Sequence, residues 1–387
     1  MYKKILFERY KIFKTPQELC LKPITILFGK NNSGKSSILT LPQLISNSFN
    51  ANGVEVVDRD FRQKELFSEY KDLIYGRANR AIQISLSNDA DQLSYSFFID
   101  DTKDVKSHLE TWCLSENNVL IYQWTDDKFD DTSNLFSGIV PLKAPENIKQ
   151  KVTSLDYFID YIGNIRHIVE RDMRIGTLSE YSGWSGEKGY DYLLKDSLTT
   201  SRDLIEKVSK WYERTFPGWK LDVDASTQPV YHVILDNGEL SINIADAGFG
   251  IRQSLPIVIR ANRSCVRPTL IILEEPEAHL HPAAHGNLGE LLVDSILEDV
   301  NKSYLVETHS FNFILRIRAL IAQRKITPDK VALYYVDYNA EDKSSNLQNV
   351  LIDEEGNVDS WPQGVFEETY DEVVNIRKNQ RSNGDSD

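Results

Sequence analysis

Cysteine is scarce in this chain of 387 residues. Cys20, Cys113 and Cys265 leave one over after any pairing and show no C-x-x-C spacing, which argues against a disulfide framework or a cysteine-built zinc site and suits a reducing compartment. Long apolar runs are missing too. The longest pieces are short ones such as residues 270–273, so no helix is expected to span a bilayer. The N-terminal apolar run is broken by Glu8 and Arg9, too early for a signal peptide, and a cytoplasmic protein without membrane contact is expected. No internal repeat occurs, and no heptad pattern is long enough for a coiled-coil arm. Excess positive charge is also lacking. With 44 Lys and Arg against 58 Asp and Glu the net charge is −14, so the chain does not coat nucleic acid by net charge, and any DNA contact needs a local basic patch or another subunit.

What remains is the composition of a globular protein, 41% hydrophobic and 26% charged, long enough for two or three units with a full core. Residues 21–28 read as a strand, and 36–45 as a helix that stops at Ser46 and Asn47. Residues 81–87 and 93–99 alternate in period two around Asn88 and Asp89, the pattern of a hairpin with one wet face. Another strand is expected at 118–124. Apolar spacing of three and four predicts helices at 154–169 and 201–215 around a mobile Gly/Ser-rich loop, 176–189. A second hairpin is expected from 230–235 and 239–244, then alternating helices and strands to about residue 352, and a frayed polar tail over 377–387.

Gly29, Lys30, Asn31, Asn32, Ser33, Gly34, Lys35 and Ser36, with Ser37 behind them, match G-x-x-x-x-G-K-[ST] between an expected strand and an expected helix, the context of a Walker A loop. The glycines let successive N–H groups and the helix N-terminus face phosphates, Lys35 reaches the β- and γ-oxygens, and the Ser36 hydroxyl ligates Mg²⁺. Residues 269–275 are an apolar run ending in Glu274 and Glu275. This is the expected form of a buried parallel strand that delivers acid at its C-terminal edge, a Walker B strand. Glu274 would hold the Mg²⁺ shell through water, and Glu275 would orient or deprotonate the attacking water. Standing alone, two glutamates at a strand end are more often a solvated turn, and the weight comes from the pairing with the Walker A loop.

These two motifs, followed by Pro276, Glu277, Ala278, His279, Leu280, His281 and Pro282, resemble the ABC-type ATPases that include the RecF, SMC and OLD families. The resemblance makes 276–282 a D-loop at a dimer interface, and it makes His309, in Thr308-His309-Ser310, the switch histidine that senses the γ-phosphate. Asp246, Gly248, Gly250 and Gln253 resemble a degenerate signature motif, in which a helix N-terminus caps the γ-phosphate of the other subunit. The bare residues read equally well as a Gly-rich turn before a helix. Tyr161, Gly163 and Arg166 resemble an element of RecF-like defence and repair ATPases, and Trp361, Gly364 and Phe366 resemble their C-terminal tail. For Arg166 two readings stand, a role near the nucleotide and a surface or structural one, the latter favoured about two to one. Two departures from the family pattern point to slow hydrolysis: Glu274 occupies a place where many such ATPases have Asp, and no Q-loop glutamine is placed, Gln83 being only a weak match.

The resemblance implies an α/β P-loop NTPase of the ABC ATPase head type, with a mixed sheet, an N-terminal antiparallel β-lobe and a helical insertion. Its parts would be an N-terminal lobe at 1–100, an insertion at 101–229, a C-terminal ATPase lobe at 230–375 and a tail at 376–387. It also implies ATP and Mg²⁺ as cofactors, with Glu275, His309 and Lys35 as the catalytic set. The expected assembly is a head-to-head homodimer or higher oligomer. Two functional readings follow: the regulatory ATPase of an antiphage system of the Septu or retron-associated type, with a separately encoded nuclease effector, or a RecF-like repair ATPase that binds DNA directly. A P-loop kinase or GTPase lacks support, since no acceptor site and no Asn-Lys-x-Asp is found. His279, His281 and His285 invite a zinc reading, but Pro282 breaks the helical register and no further ligand accompanies them. The basic residues around 315–318 and 323–325, with Arg260, Arg263 and Arg267, read more readily as solvated faces than as phosphate contacts.

Overall fold

The computed structural model describes residues 1–50, 55–99, 107–125, 135–362, 365, 366 and 376. The tail from Arg377 and the motif glycine Gly364 lie outside them. The strand that leads into the Walker A loop is β3 (Ile24–Phe28), buried along its whole length. It sits inside a six-stranded sheet among the described residues, in the order β12 (Phe158–Ile162), β16 (Thr269–Glu274), β17 (Lys302–Glu307), β3, β18 (Val331–Asn339), β19 (Ser344–Val350). The pairs β12–β16, β16–β17, β17–β3 and β3–β18 are parallel, and only the β18–β19 pair is antiparallel. Strands covered on both faces need apolar side chains at every position, which is why β3 and β16 read as unbroken hydrophobic runs.

Alternate residues of these strands serve two cores. Ile271 and Leu273 face one cluster, packed with α3 (Gly189–Asp196), α4 (Asp203–Thr215), α5 (Phe249–Asn262), α6 (Pro282–Glu298) and α7 (Phe311–Ala322). Leu270 and Ile272 face the other, shared with α1 (Lys35–Asn50) and the N-terminal lobe. That lobe is an antiparallel six-stranded sheet in the order β2 (Gln17–Cys20), β1 (Lys4–Glu8), β6 (Ile82–Ser87), β7 (Asp91–Ile99), β8 (Ser107–Glu116), β9 (Val119–Thr125). The hairpin expected at 81–99 and the strand expected at 118–124 are β6–β7 and β9. Smaller pieces are the ribbons β4 (Asp60–Phe61) with β5 (Lys64–Glu65) and β10 (Phe136–Ser137) with β11 (Val140–Pro141). The sheet β13 (Lys220–Asp224), β14 (His232–Asp236), β15 (Ser241–Asn243) contains the second expected hairpin.

Two local readings are corrected. The helix expected at 154–169 is instead β12, the edge of the Walker B side of the sheet, and the helix nearby, α2 (Glu146–Ser154), ends before it. The run Phe158-Ile159-Asp160-Tyr161-Ile162 is β-branched and aromatic, and its register with β16 satisfies the backbone in a way an isolated helix of that length would not. The helix expected to stop at Ser46 continues to Asn50, because Ser46 and Asn47 find partners without leaving the helix: Ser46 Oγ donates to the Tyr157 carbonyl and Asn47 Nδ2 to the Asp58 carbonyl. Among its described residues the segment 101–229 supplies α2, α3 and α4 and also strands to four sheets, the β10–β11 ribbon included.

The loop 176–189 is irregular yet packed. Asp160, fully buried on β12, accepts hydrogen bonds from Ser182 N at 2.7 Å and Ser182 Oγ at 3.0 Å, and it pairs with the buried Arg260 of α5. This ties strand, loop and helix behind the Walker B strand. Removing one partner of a buried ion pair strands the other charge. Asp160→Ala is expected to lower the unfolding free energy by about 3–5 kcal/mol, read as a lower urea midpoint at unchanged slope.

Candidate functional site

The loop between β3 and α1 needs backbone shapes that side chains resist. Gly29 (φ +151°) lies where a Cβ would come within 2.3 Å of the Val336 carbonyl, and a Cβ on Gly34 (φ +103°) would meet Ile12 at 2.8 Å. The curled loop closes on its own lysine. Lys35 is only 3% exposed, and its Nζ donates to the carbonyls of Gly29 at 3.1 Å and Lys30 at 2.9 Å. Burial pushes its pKa down, and the neighbouring Glu307 carboxylate, 3.7 Å away, opposes that shift. Ser36 Oγ donates to Glu307 Oε2 at 3.1 Å.

Three carboxylates gather at the C-terminal ends of adjacent strands. Glu274 and Glu307 hold the same register on β16 and β17, and the Glu275 N–H donates to the Glu307 carbonyl at 2.9 Å. Glu275 has a left-handed backbone (φ +43°) that turns the chain off the strand. Burial lifts the Glu307 carboxyl to about 7, with Lys35 opposing and the charges of Glu274 and Glu275 adding to the rise. Glu274 Oε2 accepts a 2.5 Å hydrogen bond from the Tyr161 hydroxyl of β12. Beneath the turn, the buried Arg166 guanidinium donates to the carbonyls of Glu274 at 2.9 Å and Glu275 at 2.6 Å. Burial lowers its pKa to about 10, so it stays charged at neutral pH, supported by Glu277, Glu275 and Glu274.

His309 Nε2 lies 3.7 Å from Glu275 Oε1, and its pKa is pushed down by burial and by Lys35. Glu277, in the turn after β16, anchors the turn at His309, accepting from the Thr308 hydroxyl and the His309 N–H, both at 2.7 Å. Ligand atoms of Glu275, Glu307 and His309 lie within 4.8 Å of one another. The Ser36 hydroxyl and the carboxylates around it are hard oxygen donors of the kind Mg²⁺ takes, so the donor set fits that ion.

The structure thus brings together Lys35, Ser36, Glu274, Glu275 and His309 among the residues singled out in the sequence. The signature residues meet other partners. Gly248 caps α5 at its N-terminus, and Gly250 lies so close to the turn after β16 that a Cβ would sit 2.2 Å from the His279 carbonyl. Phe249, 42% exposed, packs edge-on against His279. Gln253 is turned inward, where its side chain accepts from the Arg166 N–H and donates to the Arg166 carbonyl. Asp246 pairs with Arg171 at the surface. Gln83 lies on β6 opposite Glu8 in the N-terminal lobe. His281 caps α6 and His285 bonds Ser310 and the Leu280 carbonyl, so both have local structural partners. Of the basic residues, Arg260 and Arg263 are buried, and Arg316 and Lys325 pair with Glu290.

Sequence reasoning missed Glu307. Its signal was a carboxylate ending an apolar strand just before Thr308-His309-Ser310. It also undervalued Arg166 and Tyr161, whose roles depend on β12 standing next to the Walker B strand.

A family model, AAA_21, described as "AAA domain, putative AbiEii toxin, Type IV TA system", matches residues 24–316, most of the chain and every element of the site. The chain belongs to the AAA_21 family. It therefore carries a P-loop ATPase domain of a family that uses Mg-ATP. A second model, "Protein of unknown function (DUF3696)", matches residues 326–376. Among solved structures, one described as the SmcHead bound to the C-winged helix domain of ScpA aligns with TM-score 0.52 at 14% identity, over 90% of this chain and 98% of that one. It shows an SMC/ABC-type head fold. An SMC head domain from Thermotoga maritima gives 0.44 at 13% identity, over 91% of this chain and 99% of that one. A head with an extended coiled coil derived from Pyrococcus furiosus gives 0.49 at 13%, over 97% and 99%. No curated protein matches the chain. Among the described residues no helix is long and apolar enough to cross a membrane.

Arg166 touches the backbone of both strand-end glutamates, so it is a positioning residue for them. Arg166→Ala is expected to cut nucleotide turnover by about 10-fold or more while nucleotide affinity changes by less than about 3-fold, and Arg166→Lys to recover part of the loss. Steady-state phosphate release and equilibrium nucleotide binding give the two readouts.

Proposed function

We propose that this protein binds and hydrolyses Mg-ATP at the interface of two heads and serves as the regulatory ATPase of a bacterial antiphage complex whose nuclease is a separate subunit. The observation that carries the enzymatic part is the meeting of Lys35, Ser36, Glu275, Glu307 and His309 at one end of the parallel strands. Lys35 now donates to the carbonyls of its own loop. With a triphosphate in place it would instead neutralise the β- and γ-oxygens, helped by the loop amides and the N-terminus of α1. Mg²⁺ held at Ser36 would supply charge neutralisation to the phosphates. Glu275, outside the hydrogen-bonded Ser36–Glu307 pair, would take up the attacking water, and His309, whose pKa lies below its ordinary value, would offer a neutral imidazole N–H to the γ-phosphate.

Dimerisation is supported by an apolar rim on the elements around the site. Ile165 is 85% exposed beside Arg166, Phe249 projects from the first turn of α5, and His279 packs against it. A second copy offering residues 248–250 would cover apolar surface and present a helix N-terminus to the γ-phosphate. The regulatory part draws on the toxin association in the family's description and on the SMC head solved with a separate partner domain. The grouping of metal-capable side chains among the described residues falls inside the ATP site itself, which favours a separate effector.

Lys35→Ala is expected to abolish ATP binding in calorimetric titration. Glu275→Gln should bind ATP but turn it over about 100-fold or more slowly, and run as a dimer in light scattering only when ATP is present. Unchanged turnover would remove Glu275 from its role. Capture of the nuclease encoded beside it supports the regulatory reading. ATP-dependent, salt-sensitive binding of duplex DNA by the isolated chain would favour the repair reading instead.

A further inference from the structure

The Walker B strand β16 does not touch the Walker A strand β3, because β17 runs between them. Adjacent strands stand about 4.8 Å apart, so Glu274 emerges one strand further from the loop than Glu307. The side chains follow the same order. Glu274 is engaged on the far side, its Oε2 accepting from Tyr161 of β12. Glu307 is engaged on the near side, accepting from the Ser36 hydroxyl and facing Lys35.

Resting on the reading of the chain as a Mg-ATPase, we propose that Glu307, not Glu274, is the carboxylate that holds Mg²⁺ beside Ser36. A Mg²⁺ ion bound to the Ser36 oxygen needs one or two protein carboxylates in addition to phosphate and water. Glu307 already has an oxygen 3.1 Å from that hydroxyl. It is also nearly inaccessible to solvent, so its charge is poorly compensated by water and readily compensated by a divalent ion. Glu274, held by Tyr161, then serves as a fixed wall of the site. This division accounts for the glutamate at 274: the acid beside the metal comes from the neighbouring strand.

The test compares binding of the slowly hydrolysed analogue ATPγS in Mg²⁺ and in EDTA by calorimetry, for the wild type, Glu307→Gln and Glu274→Gln. The wild type should bind at least about 10-fold tighter in Mg²⁺. Glu307→Gln should keep or improve its affinity in EDTA, which also reports that it folds, and lose most of the Mg²⁺ enhancement. Glu274→Gln should lose less of it. The proposal is overturned if Glu307→Gln retains the enhancement, if it loses affinity equally in both buffers, or if Glu274→Gln is the variant that loses the enhancement. If Glu307→Gln does not fold, Glu307→Asp replaces it: a reduced enhancement supports the assignment and an unchanged one overturns it. Wild-type protein that binds ATPγS in neither buffer would sink the ATPase reading itself.

Discussion

A buried ammonium group inside a loop, facing a buried carboxylate, sets the terms for the rest of this molecule. Lys35 is satisfied by two carbonyls of its own loop and by Glu307. Glu307 in turn is crowded by Glu274 and Glu275, and burial holds its carboxyl near 7. Like charges at such spacing cannot all be comfortable in a place of low polarisability. The arrangement becomes balanced when a polyanion meets the loop amides and a divalent ion meets the carboxylates. On the proposed reading a metal-bound triphosphate would supply both.

The architecture puts those groups together by strand order. Four parallel pairings bring the ends of β12, β16, β17, β3 and β18 to one edge. Four of these strands then deliver the parts of the site: β12 brings Tyr161, β16 the Glu274–Glu275 pair, β17 Glu307 with His309 behind it, and β3 the phosphate loop. Behind this edge the turn after β16 is fastened from below by Arg166 and from the side by Glu277. Toward the C-terminal side, Trp361 stacks on Phe28 and Phe366 on Phe311, residues that flank the phosphate loop and His309. The C-terminal region thereby packs against the same edge.

Features with a local cause were legible in the sequence. The phosphate loop depends on glycines at fixed spacing, the Walker B strand on an unbroken apolar run, and the hairpin of β6 and β7 on alternation across a polar turn. Features whose cause is tertiary were not. Residues 158–162 carry apolar side chains at spacings that suit helix or strand alike, and the register with β16 decides the matter. With β12 misread, Tyr161 and Arg166 had no visible reason to approach Glu274. Glu307 was passed over because its local signal, a carboxylate ending an apolar strand, is shared by many solvated turns; its meaning comes from β17 lying between the two Walker strands. Gln253, grouped by motif with phosphate contacts, is spent on the backbone of Arg166.

The central claim is that the loop from Gly29 to Ser36 grips a triphosphate. It is tested most directly by an experimental structure of the protein with Mg²⁺ and a non-hydrolysable ATP analogue. The account predicts the γ-phosphate between the Lys35 ammonium and the Glu275 carboxylate, with Lys35 turned away from the carbonyls of Gly29 and Lys30. A nucleotide found elsewhere on the molecule, with Lys35 still bonded to its own loop, would contradict it.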